Sequence, residues 1–174
     1  VAFWCCLKSR QLFAEVDSCY NQLRKRASLS SSSLSIVSEL KSGSAWYVPG
    51  GCSTIGRLFN DACGRYAFAE DKHSGSIPLA FETVFDKAGD ADVWTIKYNR
   101  DRDMTYSDLK ADYIGYTGFK AFKTRNIYGC NTAKVPFYEE TPFRPDYLLS
   151  DLIQILHPEI GDLGGLRYFC KLNE

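Results

Sequence analysis

Histidine is scarce, methionine nearly absent and charge evenly split: the 174 residues hold two histidines, one methionine, and 21 basic against 21 acidic side chains. His73 and His157 do not stand at ligand spacing from any cysteine, so the sequence offers no metal-ligand set. With no net charge there is no global field to attract a nucleic-acid backbone or an anionic membrane, which disfavours nucleic-acid binding. No apolar run approaches the roughly 18 residues of a membrane span. The opening Val1-Ala2-Phe3-Trp4-Cys5-Cys6-Leu7 is too short for a secretion signal and lacks its basic start. Seven cysteines (5, 6, 19, 52, 63, 130 and 170) are an odd number without a CxxC pair, and read as small buried apolar thiols. The chain also starts without Met, inside what reads as a helix, as a processed or truncated product would.

What is present is enough apolar material, 45% of residues, for one domain or one large lobe. Leu12, Val16, Cys19, Tyr20 and Leu23 recur at helical spacing and predict an amphipathic helix over residues 2–26, with Arg24-Lys25-Arg26 suited to its negative end. The serine-rich residues 28–33 read as a linker, and residues 34–40 as a strand. Residues 42–51, with three glycines and a proline around Trp46 and Tyr47, read as an aromatic loop. Ser53 is a fitting N-cap for a helix bearing Ile55, Leu58, Phe59 and Ala62, stopped at Gly64. A short strand at residues 66–68, a polar loop at 70–76, a helix with Phe81, Val84, Phe85 and Ala88, and a strand over 93–97 follow. Thr105 caps a short helix over 106–113, residues 119–122 form a helical turn, and 127–129 a last strand. Residues 130–145 read as a long rigid loop before a largely apolar helix that ends at His157-Pro158. Alternating strands and helices predict an α/β fold, a mainly parallel sheet between helical layers.

Catalytic machinery does not stand out. Gly50-Gly51-Cys52-Ser53-Thr54 before a helix could cradle an anion and present Cys52 as a nucleophile, but it lacks the lysine of a P-loop and the spacing of a dinucleotide site. A tight turn plus N-cap is the simpler reading. Glu139-Glu140 could act as acid and base, yet adjacent loop carboxylates are usually just solvated. His73 reads as a solvated loop residue and His157 as a charge at a helix terminus. The run Tyr98 to Asp103 follows a strand, where open parallel sheets place ligands. Trp46 and Tyr47, on a loop with little core to join, read as ligand contacts. A small enzyme using Cys52 or the glutamate pair, and a protein-interaction module anchored by Trp46 and Tyr47, are the alternatives to a ligand-binding lobe.

Four segments together resemble a known family: Trp46-Tyr47-Val48-Pro49-Gly50-Gly51, Leu58-Phe59-Asn60-Asp61-Ala62, Ser74 to Glu82, and Ala91-Asp92-Val93-Trp94. They are similar to the C-terminal lobe of the TroA-like substrate-binding proteins of iron-siderophore and vitamin B12 ABC importers. Tyr128 to Asn131, Phe137 to Asp146 and His157-Pro158-Glu159 resemble that family's Bacteroidetes branch. The resemblance implies a three-layer α/β/α lobe over residues 31–174, with residues 1–30 as the end of an interlobe bridging helix and its linker. The N-terminal lobe would be absent from the sequence, leaving half a cleft. It also implies a non-enzymatic periplasmic component, from a parent anchored by lipid, that passes an iron-siderophore, haem or corrinoid complex to ABC permease subunits. Trp46, Tyr47, Ser76, Tyr98, Arg100, Tyr138 and Glu139 would line the cleft, with Arg57, Arg100 or Arg102 pairing chelate oxygens. Glu82 would engage permease arginines. No resident cofactor is implied, because a chelate brings its own iron ligands.

Overall fold

The computed structural model describes residues 2–161 and 163–174, with side chains from Ser9 onward, so Cys5 and Cys6 lie outside the described side chains. The first helix, α1 (Ala2–Ser28), runs two residues past its sequence pattern and is about 40 Å long at 1.5 Å per residue. Residues 9–15 are all exposed, whereas Val16 and Ala27 are buried and the helix packs on the last helix of the chain. The serine stretch is docked rather than loose. Ser32 Oγ donates to Glu159 at 2.6 Å, Ser30 also bonds Glu159, and Ser33 Oγ donates to the Cys63 carbonyl at 3.0 Å.

β1 (Ser35–Ser38) leads into a hairpin, β2 (Lys41–Ser42) and β3 (Ala45–Pro49), which occupies the segment expected to be an aromatic loop. Pairing of Ser42 with Ala45 leaves a two-residue turn, and Gly43 at φ 59° supplies the left-handed first position of a II′ geometry. Next come α2 (Thr54–Asp61), capped by the Ser53 hydroxyl as expected, β4 (Arg65–Tyr66) and β5 (Ser76–Leu79), which adds antiparallel to β3. α3 (Phe81–Ala88) and β6 (Val93–Tyr98) match their patterns. α4 (Tyr106–Asp112) starts at a full capping box between Thr105 and Asp108. A 3-10 turn (Ile114–Gly118), α5 (Lys120–Lys123) and β7 (Ile127–Asn131) follow. The expected long loop contains α6 (Phe137–Glu140), then α7 (Pro145–Leu156) and an edge strand, β8 (Cys170–Lys171).

Among the described residues, the main sheet has the order β4-β1-β6-β7-β8, parallel except for β8. Both faces of β6 are covered, and its alternation shows by what. Trp94 packs with Tyr116 and Phe119 on the α3–α5 side, while Thr95 and Lys97 face Phe59 of α2, Leu148 and Leu152 of α7, and Phe137 of α6. The chain is therefore a three-layer α/β/α fold with a small antiparallel sheet, β2-β3-β5, set beside its first layer.

Candidate ligand-binding site

Parallel strands deliver their loops to one edge, and ligands of open α/β sheets bind there. At this edge β1 ends at Ser38, β6 at Tyr98 and β7 at Asn131. Antiparallel crossover helices begin at the same edge, which places the start of α3 and its exposed Glu82 there too.

Between the β1–β2 connection and the segment after β6 lies an open hollow of about 310 Å³, lined by Leu40, Lys41, Gly43, Arg100, Asp112, Tyr113 and Tyr116. Arg100 is the predicted site residue that the fold delivers to it. Its backbone is held by Asn131, whose Oδ1 accepts from Arg100 N at 3.2 Å and whose Nδ2 donates to the Arg100 carbonyl at 2.8 Å. Its guanidinium donates to Asp112 Oδ2 at 2.7 Å, both partners being half-exposed. Lys41 N donates to the Tyr116 hydroxyl at 2.9 Å, and Lys41 Nζ bonds the Gly43 carbonyl and stands 5.3 Å from the Tyr113 ring centre. A larger hollow, about 470 Å³, opens at the opposite edge, around Ser35, Arg65 and Ala91 where strands begin. We place the site at the smaller one because it sits where the strand-end loops converge.

The strand-end residues are braced from below. Glu39 takes a left-handed backbone conformation, φ 68°, and its carbonyl accepts the Trp94 indole N–H at 2.9 Å. Its carboxylate pairs with Lys97, whose ammonium also lies 5.5 Å from the Phe137 ring centre, so the pair ties the sheet edge to α6. A small cavity of about 20 Å³, room for one water, borders this pair, and the buried Ser38 Oγ there has no hydrogen-bond partner among the described residues.

Several expected contacts are corrected by the fold. Trp46 is fully buried, its indole N–H donating to the Ser38 carbonyl at 3.0 Å and its rings packed on Phe81, Trp94, Tyr116 and Phe119. It is core because residues 46 and 48 share the inner face of β3, and only Tyr47 points out, 49% exposed. Tyr98 is also core: its hydroxyl accepts from Met104 N at 3.1 Å. Arg102 is committed to Asp108 through two bonds of 2.7 Å. Tyr47 and Ser76 lie on the outer face of the small sheet, with Pro78 opposite Tyr47. Tyr138 and Glu139 are exposed on α6, and Arg57 is exposed on α2. The structure brings none of these five into the hollow with Arg100.

The enzymatic elements find structural employment. A Cβ on Gly50, Gly51 or Gly56 would come within 2.3 Å of a carbonyl oxygen of His73, Ala69 or Gly50, so these glycines allow backbone crossing rather than cradle an anion. No hydrogen bond joins Cys52 to a base among the described residues, and Cys19, Cys52, Cys63, Cys130 and Cys170 are all free. Burial pushes the Cys130 thiol up to about 12. Glu140 is bound by Arg167 through two bonds, 2.7 and 2.5 Å, and by Tyr168 at 2.9 Å; these hold its carboxyl down at about 2, the wrong direction for a general acid. His157 does stand at a helix terminus, the C-cap of α7, and is buried there, with Nε2 donating to the Ala62 carbonyl at 2.7 Å. His73 is exposed and bonded to Asp71. Among the described residues, no group of three His, Cys, Asp or Glu is placed to hold a metal ion, and no helix is long and apolar enough to cross a membrane.

Sequence reasoning does not single out Lys41, Asp112 or Tyr113. The rule that points to the segment after β6 would have found Lys41 had it also been applied to the end of β1.

A family model described as periplasmic binding protein matches residues 7–133. An uncharacterized lipoprotein of Methanocaldococcus jannaschii is 30% identical over 128 residues, covering 73% of this chain and 30% of its own length. The fold is shared with Staphylococcus aureus IsdE complexed with heme: TM-score 0.67, 15% identity, 87% of this chain and 58% of that one. It is shared too with the TroA-like periplasmic binding protein FepB of Veillonella parvula: TM-score 0.63, 16% identity, 92% and 56% covered. An ABC-type Fe3+-hydroxamate transport system structure from Saccharomonospora viridis gives TM-score 0.62 at 17% identity, with 88% and 49% covered. The chain thus spans about a third of the matched lipoprotein and about half of each solved structure.

Proposed function

The chain belongs to the periplasmic binding protein family, and on that premise we propose that it is the C-terminal lobe of the substrate-binding component of an ABC importer. Residues 1–30 are then the end of a bridging helix and its linker, and residues 31–174 the second of two lobes. The lobe holds one wall of a cleft for a chelated-iron, haem or related corrinoid cargo and hands it to permease subunits. The Bacteroidetes branch is the assignment its tail motifs favour. A lipid-anchored parent facing the periplasm accords with the lipoprotein relative.

One observation carries this reading: the hollow containing Arg100 opens at the C-terminal edge of the parallel sheet, the edge where α3 presents Glu82. Cargo and permease contacts would then share one rim. The exposed Leu12 and Phe13 on α1 support it, as apolar side chains that a second lobe would cover. Relatives that hold heme or belong to Fe3+-hydroxamate transport support the cargo class.

The test is direct. The full-length gene product is titrated calorimetrically with haemin, an iron trihydroxamate and cyanocobalamin, and saturable one-to-one binding of at least one is expected. Absence of heat with all three removes the importer assignment.

A further inference from the structure

The hollow at the sheet edge carries more information than its position, because its charges are unevenly matched. Two cations, Lys41 and Arg100, face one carboxylate, Asp112, which leaves one positive charge on the lining. Among the described residues no carboxylate lies within ion-pair distance of Lys41; its ammonium meets only the Gly43 carbonyl and the face of Tyr113. Arg100 has five N–H donors in a planar fork, and its guanidinium spends one hydrogen bond on Asp112 among the described residues. That ion pair is half-exposed, so water and salt weaken it and an incoming oxygen can compete for the guanidinium. Tyr113 and Tyr116 supply aromatic walls, edge to face at 5.3 Å between ring centres. The Tyr116 hydroxyl is already used by Lys41 N, which fixes the Lys41 backbone at the mouth. A volume of about 310 Å³ fits the lower end of small-ligand pockets, roughly 300 to 1,000 Å³.

We infer that Lys41, Arg100 and Tyr113 form an anion subsite, which selects a chelate bearing carboxylate oxygens over an uncharged one. This rests on the importer reading above and narrows it. A carboxylate between the ammonium and the free edge of the guanidinium completes two charge-assisted hydrogen bonds, and the apolar part of the ligand lies against the tyrosine rings. Uncharged hydroxamate complexes and the neutral amides of a corrinoid gain no charge–charge attraction from either cation. Asp112 then tempers the site by competing for Arg100, which keeps capture reversible.

The test is an NMR titration of the isotope-labelled 174-residue chain, where weak binding remains readable. Gallium(III) citrate and gallium(III) protoporphyrin IX both carry carboxylates and distinguish an open-chain chelate from a porphyrin; an uncharged gallium(III) trihydroxamate is the neutral probe. At least one carboxylate probe should shift the amides of Lys41, Gly43, Arg100 and Tyr113. Lys41→Gln and Arg100→Gln should each weaken it about tenfold, with spectra otherwise unchanged. Asp112→Asn should tighten it about threefold, a gain that a merely structural residue would not produce. Equal affinity in the two cation variants, or weaker binding in Asp112→Asn, overturns the subsite. Shifts at this edge caused by a neutral probe alone overturn charge selection but leave the importer reading standing. If no probe perturbs the edge, the subsite falls, while the importer reading is decided separately by the full-length titration.

Discussion

Trp46 shows how one residue's role is decided by which side of a strand it occupies. Its indole sits at the centre of an aromatic cluster, within 5.5 to 6.2 Å of Phe81, Trp94, Tyr116 and Phe119, and its N–H satisfies the last carbonyl of β1. Removing it would leave a cavity and an unpaired carbonyl together. Trp46→Ala should therefore lower unfolding stability by about 3–5 kcal/mol, measured by urea denaturation. A loss under about 1 kcal/mol would show that the cluster does not depend on it. Its neighbour Tyr47, one residue on, is free of the core and remains available to a partner. The composition of the Trp46-Tyr47 segment was readable, but not its direction. Gly43, Pro49, Gly50 and Gly51 imitate a loop, whereas the two-residue turn and the pairing with β5 make it a hairpin whose alternation hides in a five-residue strand.

At the scale of elements, α6 is held in place from three sides. Phe137 is buried and packs edge-on against Tyr168 at 5.5 Å; Glu140 is fastened to Arg167 and Tyr168; and Lys97 reaches up from β6 to the Phe137 ring. The tail after α7 is pinned by the same residues, with the buried Asp151 accepting backbone N–H groups from Arg167, Tyr168 and Phe169. Arg167 and Tyr168 hold the Glu140 carboxyl at about 2 instead of its ordinary 4.5. A depressed carboxyl stabilises the fold fully above its unfolded value, and that contribution fades as pH falls from about 4.5 toward 2. Unfolding free energy should fall over that window, and Glu140→Gln should flatten this part of the profile. Identical pH profiles for the two proteins would separate Glu140 from acid lability. These contacts join residues 27 and 28 positions apart in the chain. No local pattern could announce them, so residues 130–145 read as loop.

For the whole molecule, the arrangement of edges matters more than any single contact. Parallel strands gather Lys41, Arg100 and Asn131 at one rim, and the return path of the crossover puts the start of α3 at that rim as well. Under the importer reading, Glu82→Arg in the full-length protein should leave cargo affinity unchanged while cutting uptake by about tenfold or more, since it replaces attraction to permease arginines with like-charge repulsion. Normal uptake by that variant would remove Glu82 from docking. The exposed residues 9–15 of α1 point to a further body beyond this lobe in the same reading.

Local chemistry determined most of the elements: the amphipathic run of α1, the Ser53 and Thr105 caps, the faces of α2 and α3, and the buried strand Val93 to Tyr98 all follow from spacing and capping that act within a few residues. The alternation of strands and helices likewise determined the fold class. Only the tertiary structure decided which aromatics are core, which carboxylates are paired and which cations face a hollow. Those outcomes depend on partners brought together across the sheet, Lys41 with Tyr113, Arg100 with Asp112 and Glu140 with Arg167, and burial and Coulomb energy are set by proximity in space, not by order along the chain.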